Sequence, residues 1–272
     1  MKAITRISLV ILFGALAHFS GAAAETDLKV GIQTWTLRNM NFDQVVDFAV
    51  KHEVKYLEMI DKHMNPKAPP EETKRKKAIL DKNGLTCYTF GVAGTSGKKE
   101  DDRKLFEFAK LMGIKFIVVE PREMSQWDSL EALVKEYDIK LAIHNHGLGS
   151  PYGKPETVKK ILAERDSRIG VCLDVGHVTG AGFDAAKVFR EYNGRVYDIH
   201  LKDKKVETVN GKSMINDVMI GTGQANYKGL FRELGKAKWD GVLAIETDNG
   251  DYAKAPDEYV SGAIKFVKNA AP

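Results

Sequence analysis

Side chains that can bind metal ions or move protons recur at the ends of short apolar segments along the chain. These ends read VVEP, AIHNHG, CLDVGH, DIHLKD and AIETD, and they carry Glu120, His144, His146, Asp174, His177, His200, Lys202, Asp203 and Glu246. Carboxylates and imidazoles that converge on one edge suit a divalent cation, which polarises a substrate oxygen and acidifies the neighbouring C–H bond. This mixture of oxygen and nitrogen ligands leaves Mn, Co, Zn and Ni open.

Three consecutive segments end in ligand-type residues, and this run favours a shared metal site. The residues are Asp174, His200 and Glu246. Taken singly, a histidine or carboxylate at such an end could equally cap a helix or lie satisfied in the core. That alternative stays open for Glu120, His146 and His177. Glu58 in YLEMID is compatible with a surface position or with substrate contact, and Trp35 in GIQTWTLR with substrate contact.

The apolar segments alternate with longer amphipathic ones, eight times in all. The predicted strands are Leu28–Trp35, Tyr56–Ile60, Leu85–Val92, Phe116–Glu120, Lys140–His144, Ile169–Asp174, Val196–His200 and Val242–Glu246. Helical patterns lie near residues 41–52, 70–83, 98–112, 125–137, 154–164, 184–192, 226–236 and 257–269. Eight strand–helix units over about 245 residues predict an α/β fold, a (β/α)8 TIM barrel with the polar ends at its C-terminal rim. A doubly wound open sheet is the alternative, but no GxGxxG sequence follows the first strand.

Successive side chains of a strand point to opposite faces, so the residues near the polar ends can be assigned to one face or the other. His144 and His146 share a face, as do His200 and Lys202. The positions two residues before the polar ends are small or apolar and are expected to fill the barrel: Val118, Ala142, Cys172 and Ala244. Asp198 departs from this pattern.

Two cysteines and one long connection carry further expectations. Cys87 and Cys172 fall on the third and sixth strands, across the barrel from each other, so we expect free, buried thiols. The stretch Asp203–Ala225 exceeds the ~2–6 residues of a usual βα loop and is interpreted as a lid over the site. Helix ends are expected at glycines such as Gly113, and helix starts at Ser125 and Asp184.

The first 24 residues have the layout of a secretory signal peptide. Lys2 and Arg6 precede an apolar run over Ile7–Phe19, and three alanines at 22–24 match a small-residue cleavage signal. The run is short for a membrane span, which needs ~20 residues, and an uncleaved anchor is the alternative. We therefore assign residues 1–24 to a signal peptide and 25–272 to a single barrel domain. The expected location is the periplasm or outside the cell, without membrane contact after cleavage.

The charge of the chain argues against one class of partner. Its formal net charge is +4, and the basic residues are spread along the sequence. The run KRKK at Lys74–Lys77 follows two glutamates and is typical of a solvated helix face. Because nucleic-acid binders usually carry a basic stripe, no nucleic-acid partner is expected.

In this order, VVEP, AIHNHG, CLDVGHVTGAG, HLKD, GTGQANY and AIE resemble the xylose isomerase-like TIM-barrel superfamily, from about Val30 to Val267. That superfamily includes sugar phosphate isomerases and epimerases and the family 2 AP endonucleases. The HNH sequence at 144–146 is similar to a subgroup near inosose dehydratases and the lyases or hydratases of 3-keto-glycosides. The resemblance implies one divalent metal ion and a small-molecule carbohydrate substrate, and places His177 against substrate oxygens. It leaves homo-oligomerisation open.

In the epimerases of this superfamily, Glu, Asp, His and Glu on strands five to eight hold the metal. The resemblance therefore implies Asp174, His200 and Glu246 as ligands, with His144 where the first Glu stands. Those epimerases use that Glu and the strand-eight Glu as an acid/base pair. Its replacement argues against simple two-base epimerisation and makes Glu120 a candidate ligand or base.

The implied activity removes the proton alpha to the carbonyl of a keto-sugar or 3-keto-glycoside and expels the beta substituent. Glu120, His146 or Lys202 is expected to move the protons, and a neighbouring cation would lower the pKa of Lys202. A plain salt bridge of Lys202 to Asp203 or Glu246 is the alternative. Isomerisation or epimerisation of an unphosphorylated sugar is a second hypothesis, and a non-catalytic exported sugar-binding protein is a third. An AP endonuclease is disfavoured because such enzymes need DNA and more metal ligands.

Overall fold

The computed structural model describes residues 28–270. The signal-peptide prediction for residues 1–24 lies outside the described residues, and so does the expected export. Within residues 28–270, no helix has the length and apolar character needed to cross a membrane.

The described residues form ten strands, of which eight close into a parallel barrel. They are β1 (Lys29–Gln33), β2 (Tyr56–Met59), β3 (Thr86–Ala93), β4 (Phe116–Val119), β5 (Lys140–His144), β6 (Ile169–Asp174), β7 (Val196–Leu201), β8 (Asp203–Val209), β9 (Lys212–Val218) and β10 (Val242–Ile245). Strands β1 to β7 pair in sequence order, and β10 closes the ring between β7 and β1. The TIM-barrel prediction is confirmed, and every predicted barrel strand is present.

Helices cover the outside of the barrel, and their apolar faces pack on the strands. They are α1 (Phe42–Lys51), α2 (Pro70–Lys82), α3 (Lys99–Met112), α4 (Trp127–Tyr137), α5 (Pro155–Glu164), α6 (Val175–Gly180), α7 (Ala185–Glu191), α8 (Tyr227–Ala237), α9 (Gly250–Lys254) and α10 (Pro256–Ala270). Gly113 ends α3 in the left-handed conformation, as expected. The side chain of Asp184 caps α7, but Ser125 caps nothing, because α4 starts only at Trp127 after a single 3-10 turn.

The barrel interior is small and holds both apolar and acidic side chains. Val118, Ala142 and Cys172 form a buried cluster inside it, as the alternation predicted. Cys87 and Cys172 are both free and buried, which confirms the absence of a disulfide between them. The interior also contains Asp198, whose Oδ1 accepts a hydrogen bond from the Tyr88 hydroxyl at 2.9 Å. A polar residue at this apolar position is therefore satisfied by a partner across the barrel.

The long stretch after β7 is a hairpin rather than a loop. Strands β8 and β9 pair antiparallel around a turn at Asn210 and Gly211, both with positive φ. Asn-Gly is a preferred two-residue hairpin turn, so the sequence contained a signal that the loop prediction overlooked. Asp217 of β9 accepts hydrogen bonds from Thr247 Oγ1 at 3.0 Å and from the Asp248 backbone N–H at 2.6 Å. These bonds fasten the hairpin to the segment that follows β10.

Candidate functional site

Side chains from four neighbouring barrel strands converge at the C-terminal rim. His144 ends β5, Asp174 ends β6, His200 lies near the end of β7, and Glu246 follows β10. Asp174 Oδ2 lies 3.6 Å from His144 Nε2 and 3.8 Å from His200 Nδ1, and Glu246 Oε2 lies 2.8 Å from His200 Nδ1. The four ligand-type atoms all lie within 4.8 Å of one another. They therefore surround one point.

Within the described residues, no hydrogen bond of ordinary geometry reaches these four atoms, although all of them are buried and the two carboxylate oxygens face the Lys202 ammonium. These atoms are His144 Nε2, Asp174 Oδ2, His200 Nδ1 and Glu246 Oε2. Unpartnered buried polar atoms are costly, so a cluster of them facing one another indicates a missing partner. Two ligands at ~2.1 Å from a cation stand about 3.4 Å apart at tetrahedral angles. The separations here are close to that value, so this donor set fits a divalent cation.

The ammonium of Lys202 sits behind the cluster, fully buried among carboxylates. Its Nζ lies 3.1 Å from Asp174 Oδ2, 3.2 Å from Glu246 Oε2 and 3.0 Å from Asp248 Oδ2. Burial opposes the charged form, but these three carboxylates raise the pKa of Lys202 well above its ordinary value. The lowering expected from the sequence requires a cation bound beside the ammonium, and it stays a prediction. The predicted pairing with Glu246 is present, whereas Asp203 instead accepts hydrogen bonds from backbone N–H groups at 221, 223 and 225.

The site is rich in negative charge. Asp174, Glu246 and Asp248 face the Lys202 ammonium, and a second ammonium, Lys204, pairs with Asp248 and Asp217. These four carboxylates outnumber the two ammonium groups, which leaves a surplus that a divalent cation would neutralise.

Neighbouring acidic groups also raise the pKa values of His144 and His200. Burial alone would lower the pKa of His144, but Asp174 and Glu120 raise it. For His200, burial is likewise outweighed by neighbouring acidic groups, and its pKa lies well above the ordinary value.

Glu58 lies beneath the cluster, neither on the surface nor in contact with the open site. It is completely buried, and its Oε2 lies 2.7 Å from His200 Nε2. This bond assigns the Nε2 proton to His200 and leaves Nδ1 free to bind a cation. Next to it, burial and the neighbouring Glu58 carboxylate raise the pKa of Asp198 well above its ordinary value. The expected surface position of Glu58 is therefore wrong, because β2 aims it into the barrel, whereas substrate contact stays a prediction.

Glu120 lies on the far side of the His144 ring from the ligand cluster. Its Oε2 is 3.4 Å from His144 Nδ1 and 2.9 Å from His146 Nδ1, and its Oε1 accepts a hydrogen bond from Ser150 Oγ at 2.6 Å. Burial would raise the pKa of Glu120, but the bonds from His144, His146 and Ser150 lower it well below the ordinary value. Glu120 is therefore an ionised carboxylate that orients two imidazoles.

A hollow of about 520 Å³ opens onto the ligand cluster at the rim. Its walls include Trp35, Val92, Glu120, His144, His146 and Glu246. Trp35 is 42% exposed, and the side chain of His146 is 47% exposed. His177 and Lys202 are not among the lining residues. The ring of His177 packs against His146 at 4.2 Å, and burial lowers the pKa of His177 to about 3.

Two residues of the site were missed by the sequence analysis. Asp248 lies two positions after Glu246 and borders the hollow, so strand alternation could have indicated it. Asn145, between the two histidines of HNH, exchanges two hydrogen bonds with the backbone of Asp174, at 3.1 and 3.0 Å. It therefore ties the end of β5 to the end of β6, which sets the spacing of His144 and Asp174.

Comparison with known proteins adds four findings. The family model described as xylose isomerase-like TIM barrel matches residues 46–270. An inosose dehydratase of Clostridium perfringens is 28% identical over 245 residues, covering 74% of this chain and 82% of that protein. An uncharacterized protein of Parabacteroides distasonis is 30% identical with a TM-score of 0.69, covering 89% of this chain and 99% of that one. The IOLI protein, solved with a bound zinc atom, shares the fold at a TM-score of 0.72 and 16% identity, covering 90% of this chain and 98% of that one.

Proposed function

The chain belongs to the xylose isomerase-like TIM-barrel family, and from that premise we propose that it is a divalent-metal-dependent lyase or hydratase. It removes the proton alpha to the carbonyl of a keto-sugar or 3-keto-glycoside and expels the beta substituent. The similarity to inosose dehydratase supports a sugar-modifying enzyme. One observation carries the proposal: four unpartnered, buried ligand atoms face one point beside an open hollow.

The proposed ligands are His144, Asp174, His200 and Glu246. The zinc atom in the IOLI protein, which shares this fold, supports a bound metal, and Mn, Co, Zn and Ni stay open. A cation bound there polarises the carbonyl oxygen of the substrate and makes the neighbouring C–H bond more acidic. The ammonium group of Lys202 holds Asp174 and Glu246 in place. We assign Lys202 this positioning role instead of the proton transfer expected from the sequence.

Proton movement falls to His146. Its Nδ1 donates to the ionised Glu120, which leaves Nε2 free as a base on the exposed side of the ring. One imidazole can take the proton from carbon and return it to the departing oxygen on the same face of the sugar. This single-base route needs no second carboxylate at the end of β5, where this chain has His144. Trp35, exposed on the hollow wall, offers a flat apolar surface to the sugar ring.

Export expected from residues 1–24 would place this reaction in the periplasm or outside the cell. Sugar phosphates are cytoplasmic metabolites, so we propose an unphosphorylated substrate.

Solvent exchange tests the proposed function. Purified protein loaded with Mn or Co is incubated with 3-keto-glycosides and free ketoses in D2O, and proton NMR follows the C–H next to the carbonyl. We expect exchange that a chelator stops, together with loss of the beta substituent. Exchange with the substituent retained would favour isomerisation or epimerisation instead. No exchange by protein shown to contain metal, combined with sugar binding by calorimetry, would favour a non-catalytic binding protein.

Glu58→Gln is expected to weaken cation binding 10- to 100-fold, the usual effect of removing a partner that orients a metal-binding histidine. The amide keeps the shape of the side chain but accepts more weakly from His200 Nε2. Titration calorimetry with Mn or Co measures the affinity, and exposed Glu164→Gln serves as the matched control. Unchanged affinity in Glu58→Gln would refute the orienting role.

A further inference from the structure

A second hollow, of about 730 Å³, lies at the opposite end of the barrel from the ligand cluster. Its walls include Phe116, Lys140 and Tyr197, which stand at the beginnings of β4, β5 and β7. The segments that lead into β7 and β10 form its sides and supply Asn193 and residues 238–241. Because the barrel strands are parallel, their beginnings share one face, and we call this space the basal hollow. The proposed function uses none of its residues.

Two aromatic rings of the basal hollow are fixed in place. Trp239 Nε1 donates a hydrogen bond to the Val196 carbonyl oxygen at 2.9 Å. A Cβ atom at Gly241 would overlap the Trp239 ring, and one at Gly170 would overlap the Tyr197 ring, so each ring rests directly on a glycine. Both rings are half-buried. Rings held in this way offer a ligand a flat surface at little cost in side-chain entropy.

Closure of the barrel accounts for only part of this aromatic surface. The rings of Tyr56, Tyr88, Phe116 and Tyr197 follow one another across the N-terminal mouth, at centroid distances of 6.4, 6.0 and 6.3 Å. Trp239 belongs to none of these pairs and stands at the side of the basal hollow. Its ring face is therefore available to a ligand.

Basic side chains outnumber acidic ones around these rings. The charged wall residues are Lys115, Lys140, Arg190, Lys236, Lys238, Glu233 and Asp240. Glu233 is buried and already paired, at 3.4 Å with Arg190 and at 3.1 Å with Lys236. The wall therefore keeps a positive surplus after its internal ion pairs are formed.

Three exposed lysines carry this surplus. Within residues 28–270, no ion pair joins Lys115, Lys140 or Lys238 to a carboxylate. The ammonium of Lys140 lies 4.7 Å from the centroid of the Tyr197 ring, so one of these charges stands directly over the aromatic surface. The basal hollow thus offers cations beside flat apolar faces, which suits an anion that also carries a ring.

The remaining polar groups narrow the class of ligand. Asp240 is exposed at the wall without an ion pair among the described residues, so it repels a plain anion but accepts hydrogen bonds from hydroxyl groups. Asn193 can both donate and accept. A sugar ring that carries a carboxylate combines negative charge, hydroxyl groups and a C–H face for Trp239. A hexose displaces roughly six waters, or about 180 Å³ at ~30 Å³ each, so the basal hollow has room for more than one such ring.

We propose that the basal hollow binds a short segment of an acidic glycan. Its sugar rings pack on Trp239 and Tyr197, and their carboxylates meet the ammonium groups of Lys115, Lys140 and Lys238. No bond is made or broken there. The inference is independent of the proposed function, since the two sites lie at opposite ends of the barrel. Binding at this end would hold the protein on a glycan and leave the ligand cluster open.

Matched ligands test the basal hollow. Trigalacturonate, its methyl ester and tripolyphosphate are titrated by calorimetry into the metal-loaded full-length protein at about 0.15 M NaCl, which screens unspecific attraction. The methyl ester keeps the rings without the charge, and tripolyphosphate keeps the charge without the rings. We expect trigalacturonate to bind about tenfold or more tightly than either, because only it engages both features. Chelator-treated protein should bind it equally well.

Two variants remove the site in different ways. Lys140→Gln removes one charge and is expected to weaken trigalacturonate binding about tenfold or more, the effect of losing a hydrogen bond to a charged group. Ala237→Phe adds a ring at an exposed wall position near the end of α8 and is expected to block the hollow. Lys55→Gln is the control for the charge, since Lys55 is exposed just before β2, on the same face but outside the hollow. Ala163→Phe, at an exposed position near the end of α5, is the control for the ring. Thermal unfolding verifies that each variant is folded.

Tryptophan fluorescence locates the bound ligand. The chain has three tryptophans, of which Trp127 is buried and Trp35 lies at the ligand cluster. In Trp35→Phe, a change of emission on adding trigalacturonate therefore reports on Trp239. We expect this change, and we expect it to disappear when Trp239→Phe is added to the same protein.

The outcomes separate this inference from the proposed function. Equal binding of tripolyphosphate overturns the glycan site and shows an unspecific basic patch, and equal binding of the methyl ester shows that the lysines are not used. Unchanged affinity in Lys140→Gln and Ala237→Phe, an equal loss in their controls, or unchanged emission in Trp35→Phe also overturns it. Chelator-sensitive exchange on keto-sugars should stay within about twofold in Lys140→Gln, so failure of the glycan site leaves the proposed function intact.

Discussion

Glu246→Gln is expected to abolish cation binding and to reduce turnover by about 1,000-fold or more. Glu246 contributes one of the four unpartnered atoms and lies 2.8 Å from His200 Nδ1. The amide keeps the volume but removes one negative charge from a site whose charge balance favours a divalent ion. Electrophilic assistance by a metal supplies several kcal/mol, and each 1.36 kcal/mol is tenfold in rate.

Two measurements are needed for this variant. Calorimetry with Mn or Co should show an affinity loss beyond the 10- to 100-fold typical of residues that only orient a ligand. The exchange assay should show turnover at the level of chelated wild-type protein. Glu258→Gln, on the exposed face of α10, is the control and should match the wild type in both. Full turnover by Glu246→Gln with metal bound would remove Glu246 from the ligand set.

His146→Ala is expected to keep the metal and lose ~100- to 10,000-fold in rate, the usual contribution of a general acid/base. His146 is separated from the ligand cluster by His144, and none of the four converging atoms belongs to it. Its removal leaves Glu120 bonded to Ser150 and His144, so the wall of the hollow should persist.

Chemical rescue distinguishes proton transfer from a structural role. Added imidazole should restore part of the lost rate in His146→Ala, which a purely structural role would not allow. His52→Ala, a histidine remote from the site, is the control. Loss of the cation instead of loss of rate in His146→Ala would show that His146 is a metal ligand rather than the acid/base.

Much of the fold was readable because the relevant signals are local. Glycines end helices where the chain must turn left-handed, and strand–helix alternation is visible over windows of ten residues. The hairpin at 203–218 was missed although Asn210-Gly211 is a local turn signal. The prediction of a loop rested on the length of this stretch and did not use its turn residues. The short helices α6 and α9 were missed because neither is long enough to show a helical period.

The residues of the site also differ in whether local sequence signals identify them. Strand ends in a parallel barrel meet at one rim, so the sequence by itself determined that His144, Asp174, His200 and Glu246 would be neighbours. Asn145 and Asp248 escaped notice because their contacts are made with backbone or with side chains from other strands.

Only the tertiary structure decided what each group does next to its neighbours. Glu58 became the partner of His200 because the barrel closes β2 opposite β7, 142 positions away in sequence. Lys202 became a buried ammonium because three carboxylates at the ends of β6 and β10 surround it, which outweighs the cost of burial. Each of these groups interacts with charges and hydrogen-bond partners on several strands. The interaction energies depend on distances of a few ångströms, which no local sequence pattern specifies.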